Sequence, residues 1–186
     1  MDQHQLSIVI GVVAIVVIVA IVAFLLGRKR RSLMLRQQFG PEYDRVVKKE
    51  GDVCRGEQVL AFRAERREKL EIRPISSSMR ADFASRWANV QSLFVDDPKG
   101  AVSRADELVN EVMRARGYPV GDFDQRAADI SVDHPVVVEN YRTAHEIAVR
   151  HSRGEASTED LRKAMVHYRS LFDQLLQDSI PLRKEA

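Results

Sequence analysis

The hydrophobic pattern changes character along the chain, from one unbroken apolar block to a series of periodic stripes. Residues 8–26 carry no charged or strongly polar side chain. As a helix these 19 residues rise about 28 Å at 1.5 Å each, close to the hydrocarbon thickness of a bilayer. The block therefore predicts one transmembrane helix over residues 8–27, with residues 1–7 as a short external tail. Arg28, Lys29, Arg30 and Arg31 follow at once, and a basic juxtamembrane segment, 28–40, runs to Phe39-Gly40-Pro41, where glycine and proline stop the helix.

Beyond Pro41 the apolar positions recur at helical spacing. Pro41 followed by Glu42 and Asp44 predicts a short helix over 42–49, closed by Gly51. A second, over 56–72, rests on Val59, Phe62 and Leu70, and its polar middle, residues 63–69, reads as a solvated face. Ser76-Ser77-Ser78 supplies capping hydroxyls for a core helix bearing Met79, Phe83, Trp87, Val90 and Phe94. Asp97-Pro98 opens a helix with Val102, Ala105, Val109, Val112 and Met113, ended by Gly117. Residues 123–130 form two turns, and Asp133-His134-Pro135 reads as a cap ahead of a helix with Val137, Tyr141, Ala144 and Ala148. The last helix opens at Ser157-Thr158-Glu159-Asp160 and alternates spacings of three and four through Leu161, Ala164, Tyr168, Leu171 and Leu175. No stretch alternates with period two and no internal repeat is visible. The expected fold is all-α: one transmembrane helix, a charged helical stalk or linker over 41–73, a small cytoplasmic helical bundle over 74–178 and a tail over 179–186.

Charge sets the expected direction. The N-terminal tail has Asp2 and no Lys or Arg, so the four cations at 28–31 predict an outside N-terminus and a cytoplasmic C-terminal domain. Residues 28–73 carry 14 Lys/Arg against 8 Asp/Glu, whereas residues 117–186 carry 9 against 12. A basic base under a mildly acidic far end suits contact with anionic head groups better than nucleic acid, which needs basic surface spread over the fold. With one cysteine, Cys54, no internal disulfide can form, and none of Asn89, Asn110 and Asn140 lies in an N-x-Ser/Thr site. Both observations favour a reducing compartment.

Catalytic signatures fail one by one. In His145-Glu146-Ile147-Ala148-Val149-Arg150-His151 the histidines stand six apart, about 240° around a helix, and cannot make the i, i+4 pair of a zinc-protease helix. Gly51, Gly56, Gly117 and Gly121 are isolated, and no phosphate loop can be fitted. Asp129, Asp133, His134 and His167 are the one polar cluster able to serve an enzyme or a ligand site. Capping for Asp133 or His134, and packing for His167, account for them without chemistry. Catalytic residues, cofactor and metal are accordingly all expected to be none. Arg28, Lys29, Arg30 and Arg31 remain as a topology signal or head-group contact.

The strings Phe39-Gly40-Pro41-Glu42-Tyr43-Asp44-Arg45, Arg116-Gly117-Tyr118-Pro119, Arg126-Ala127-Ala128-Asp129, Asp133-His134-Pro135 and Met165-Val166-His167-Tyr168-Arg169 give the chain another handle. On them it resembles a family of uncharacterised bacterial membrane-anchored helical proteins. The resemblance implies a bacterial inner membrane and carries no activity, cofactor or catalytic residue. The expected function is a non-enzymatic protein-interaction or scaffold module at the cytoplasmic face. The alternatives are an enzyme or ligand-binding domain built on Asp129, Asp133, His134 and His167, or binding of anionic lipid or nucleic acid through the basic segment.

Overall fold

A computed structural model describes residues 3–177, with side chains described from residue 15 onward and at Gly11. The described residues are all helical in their regular structure, eight helices without a strand. They fall into two compact units, one ending at Gln38 and the other beginning at Phe39.

The first unit is a single helix, α1 (Gln3–Phe39), which enters the second unit at its last residue. The expectation of a transmembrane helix is corrected here: among the described residues, no helix is long and apolar enough to cross a membrane. Of the expected span, residues 8–10 and 12–14 lie outside the described side chains.

The second unit starts with a hairpin of α2 (Pro41–Glu50) and α3 (Val53–Glu68). Gly51 closes α2 in the left-handed region at φ 70°, and Asp52 caps α3 by accepting from the Arg55 N–H at 2.9 Å. That cap starts α3 three residues before the expected position. The two helices touch backbone to side chain, since a Cβ on Gly56 would lie 2.8 Å from Val47 Cγ2 and 2.9 Å from its Cα.

After a non-helical segment come α4 (Ser77–Asp96) and α5 (Pro98–Arg116), capped by Ser76 and Asp97 as the sequence predicts. Then follow α6 (Phe123–Asp133), α7 (Val138–Ser152) and α8 (Thr158–Gln177). Neighbouring pairs α4/α5, α5/α8 and α7/α8 pack side by side. Their apolar faces form one cluster holding Phe83, Trp87, Val109, Val112, Tyr168 and Phe172 among its members. Trp87 stacks on Phe172, ring centres 4.6 Å apart, and joins α4 to α8. Arg116 is buried at the end of α5, where its Nη1 donates to the Leu175 carbonyl at 2.7 Å. A cation there satisfies a carbonyl of the last turn of α8.

The turn after α6 differs from its expected form. Asp133 and His134 do not cap α7, which begins at Val138 without a side-chain cap. Asp133 ends α6, and the His134 carbonyl accepts from the Val137 and Val138 N–H groups at 3.2 and 3.1 Å. The backbone of His134 therefore supplies the start of α7, and the Asp133 carboxylate is left to other partners.

Candidate functional site

The arginines that give α3 its solvated look in sequence are turned inward. Arg63, Arg66 and Arg67 stand three and four apart, on one face of the helix, and that face meets α6. Arg66 Nε donates to Asp129 Oδ1 at 2.9 Å, Arg67 Nε donates to Asp133 Oδ2, and Arg63 Nη1 donates to Ser131 Oγ at 3.2 Å. The centre of the network is Glu42 of α2, whose side chain is 1% exposed. Arg63 Nη1 reaches Glu42 Oε1 at 2.7 Å, and Arg142 of α7 clasps both Glu42 oxygens at 2.7 and 2.8 Å. A carboxylate held by a two-pronged guanidinium and a second arginine is the geometry that lets a buried charge persist.

Of the residues singled out in sequence, Asp129 is fully buried and taken up by Arg66 and by Gln125 Nε2 at 2.8 Å, while its Oδ2 has no partner. Asp133 holds Arg67 and accepts from the Tyr118 hydroxyl at 2.5 Å. Burial, and then the Asp133 charge, pushes the Tyr118 phenol far up, so it stays protonated as the donor. His134 is buried at the end of α6. His167 is engaged elsewhere: its Nδ1 lies 3.1 Å from Asn140 Oδ1 on α7, and Asn140 in turn donates to Ser170. The cluster thus divides: Asp129 and Asp133 of α6 pair with arginines, His134 is buried at the residue after α6, and His167 makes a separate amide contact between α7 and α8. Among the described residues no group of three or more His, Cys, Asp or Glu is arranged to hold a metal ion.

A second polar group sits where α6 crosses α7. Tyr141 accepts from Arg126 Nε at 3.1 Å and donates to Asn110 Oδ1 at 3.4 Å, and burial pushes its phenol up to about 12. Tyr168 is raised further by burial, with Asp106 beside it. His145 lies flat on Phe123, ring centres 3.6 Å apart, and partial burial lowers its pKa.

The open surface lies elsewhere. Two adjoining shallow clefts, of about 390 and 510 Å3, run along the outer face of α4 and α5 and share Arg86 and Glu111. Arg86 bridges to Glu111 at 2.6 Å. Cys54 is exposed in the first turn of α3, and Arg28, Lys29, Arg30 and Arg31 are exposed on α1.

Sequence reasoning missed Glu42, Arg63, Arg66, Arg67, Arg142 and Tyr118. A signal was present: arginines at 63, 66 and 67 and carboxylates at 129 and 133 each repeat at helical spacing, so both sets form stripes that can face one another. No family model, curated protein or solved structure matches the chain.

Proposed function

We propose that this chain is a non-enzymatic helical module whose role is to bind another protein. One observation carries the reading. The carboxylates best placed by sequence to do chemistry, Asp129 and Asp133, together with Glu42, are bound by arginines of the same fold, so they serve architecture. A general base needs an open line to its substrate, and Glu42 and Asp129 are closed off. The test is site-specific photo-crosslinking of the full chain in cells, with the photoreactive residue at Val95, Val136 or Val166, three exposed valines on different elements. One recurrent protein adduct, lost when the crosslinker is moved to another of the three, supports a directed interface. Equal and unspecific labelling at all three sinks it.

A second reading, contact with anionic lipid through α1, is favoured by a separate feature. The larger apolar residues between Ile15 and Leu26 are 49 to 69% exposed, and at 100° per residue they cover every side of the helix. Each exposed cation at 28–31 adds about 1 kcal/mol of attraction to an anionic surface. Flotation of the full chain with anionic vesicles, reduced in a variant with all four cations changed to Gln, is the expected result. Equal flotation of parent and variant with anionic and zwitterionic vesicles would remove the charge part of this reading.

A further inference from the structure

We propose that the α2–α3 hairpin is an ionic latch: it opens from α6 and α7 as a unit while the bundle of α4, α5, α7 and α8 stays folded. Three observations on the hairpin lead there.

First, the hairpin is stitched to itself. Gly56 lies against Val47 without room for a Cβ, and the Tyr43 hydroxyl donates to Glu57 at 2.8 Å. Among the described residues, the apolar cluster that unites the bundle includes no member of α2 or α3, although Tyr43, Val46 and Leu60 are buried within the hairpin region. Second, among the described residues, charged side chains tie the hairpin to the rest: Glu42 to Arg142, Arg66 to Asp129, Arg67 to Asp133, at the rim Arg45 to Glu139, and the Arg63 guanidinium to the Ser131 hydroxyl. Third, the hairpin has a pivot at each end. Gly40 precedes it at φ 46°, and it is followed by a non-helical segment that is itself pinned to the bundle. Arg73 N–H donates to the Arg116 carbonyl at 2.9 Å, and Gly117 sits so close to the Glu71 carbonyl that a Cβ would fall 2.3 Å from it.

Such a seam closes with a small net gain. Desolvating Glu42 and Asp129 offsets much of their attraction to the arginines, and Asp129 Oδ2 remains without a donor. Opening returns these charges to water, where salt screens them further, so ionic strength favours the open form. Opening also uncovers Asp129, Ser131 and Asp133 on α6 and Arg142 on α7, a mixed-charge face that the closed form keeps covered.

The experiment is hydrogen exchange on the full chain, followed peptide by peptide. Salt is varied from ~0.01 to ~1 M, over which the Debye length falls from about 30 to about 3 Å. Exchange in α2, α3 and α6 should rise by about tenfold or more, while α4, α5 and α8 hold; tenfold corresponds to about 1.4 kcal/mol less closing free energy. Glu42→Gln should produce the same regional rise at low salt. If that variant does not fold, Arg67→Gln at the rim of the seam replaces it, with the same expectation. A flat response of the hairpin to salt overturns the latch, as does loss of hairpin protection only in step with α4, α5 and α8.

Discussion

The protein closes two seams by opposite means. Between α4, α5, α7 and α8 the buried cluster is aliphatic and aromatic, with Trp87 stacked on Phe172, and polar contacts such as Arg116 with the Leu175 carbonyl lie beside it. Between α3 and α6, and from Glu42 to Arg142, the contact is a set of arginine–carboxylate pairs. The first kind of seam is non-directional and scales with the apolar area removed from water. The second is directional: each guanidinium must meet its carboxylate at the right angle, and a misplaced partner leaves a buried charge. The lesson is a division of labour, in which the apolar seam supplies stability and the ionic seam fixes how one hairpin sits.

The strongest way to break this contrast is Trp87→Ala. Trp87 is 5% exposed and is the ring that joins α4 to α8, so its removal opens a large cavity and should lower stability by about 3 to 5 kcal/mol. A urea titration reads the loss as a lower midpoint with the slope unchanged. Trp87→Phe sharpens the result. It keeps a ring against Phe172 and discards an indole N–H that has no partner, so it should retain most of the lost stability. A Trp87→Ala midpoint near that of the parent would mean that the bundle does not depend on the α4–α8 contact.

The same contrast explains what could be read from the sequence. The bundle helices were legible because their signals are local: Ser76, Asp97 and Gly117 mark ends, and Phe83, Trp87 and Val90 repeat on one face. The hairpin helices were also visible, but the role of Arg63, Arg66 and Arg67 was not, because their partners on α6 lie 63 to 68 residues away and Arg142 lies 100 from Glu42. Periodicity tells which side chains share a face and is silent on what the face meets. Asp133-His134-Pro135 misled for a related reason. An aspartate before a proline has the local form of a helix cap, yet a tertiary pairing with Arg67 and Tyr118 takes the carboxylate and moves the start of α7 to Val138.

The smallest expected effect comes from His145, which lies at the α6–α7 contact, between the two seams. Its imidazole stacks on Phe123, within the field of Asp106, Asp124 and Arg126, and partial burial holds its pKa below the ordinary value of 6.5. The folded state therefore prefers the neutral ring more than the unfolded chain does. Between the lowered folded pKa and 6.5 the unfolded state binds more protons, so stability rises with pH through that window. The contribution is complete above 6.5, falls as the pH drops toward the folded pKa, and is constant below it. His145→Phe keeps the flat ring against Phe123 and removes the titration. The measurement is the difference in urea midpoint between parent and His145→Phe at a series of pH values from ~5 to ~8, the range in which histidine changes charge. Other titrating groups cancel in that difference as long as the replacement leaves their surroundings unchanged. The parent should gain on the variant as the pH rises and then level off. A parent that instead gains as the pH falls would show that Asp106 or Asp124 stabilises a charged imidazolium, which would extend the ionic seam across α7 and blur the contrast between the two contacts.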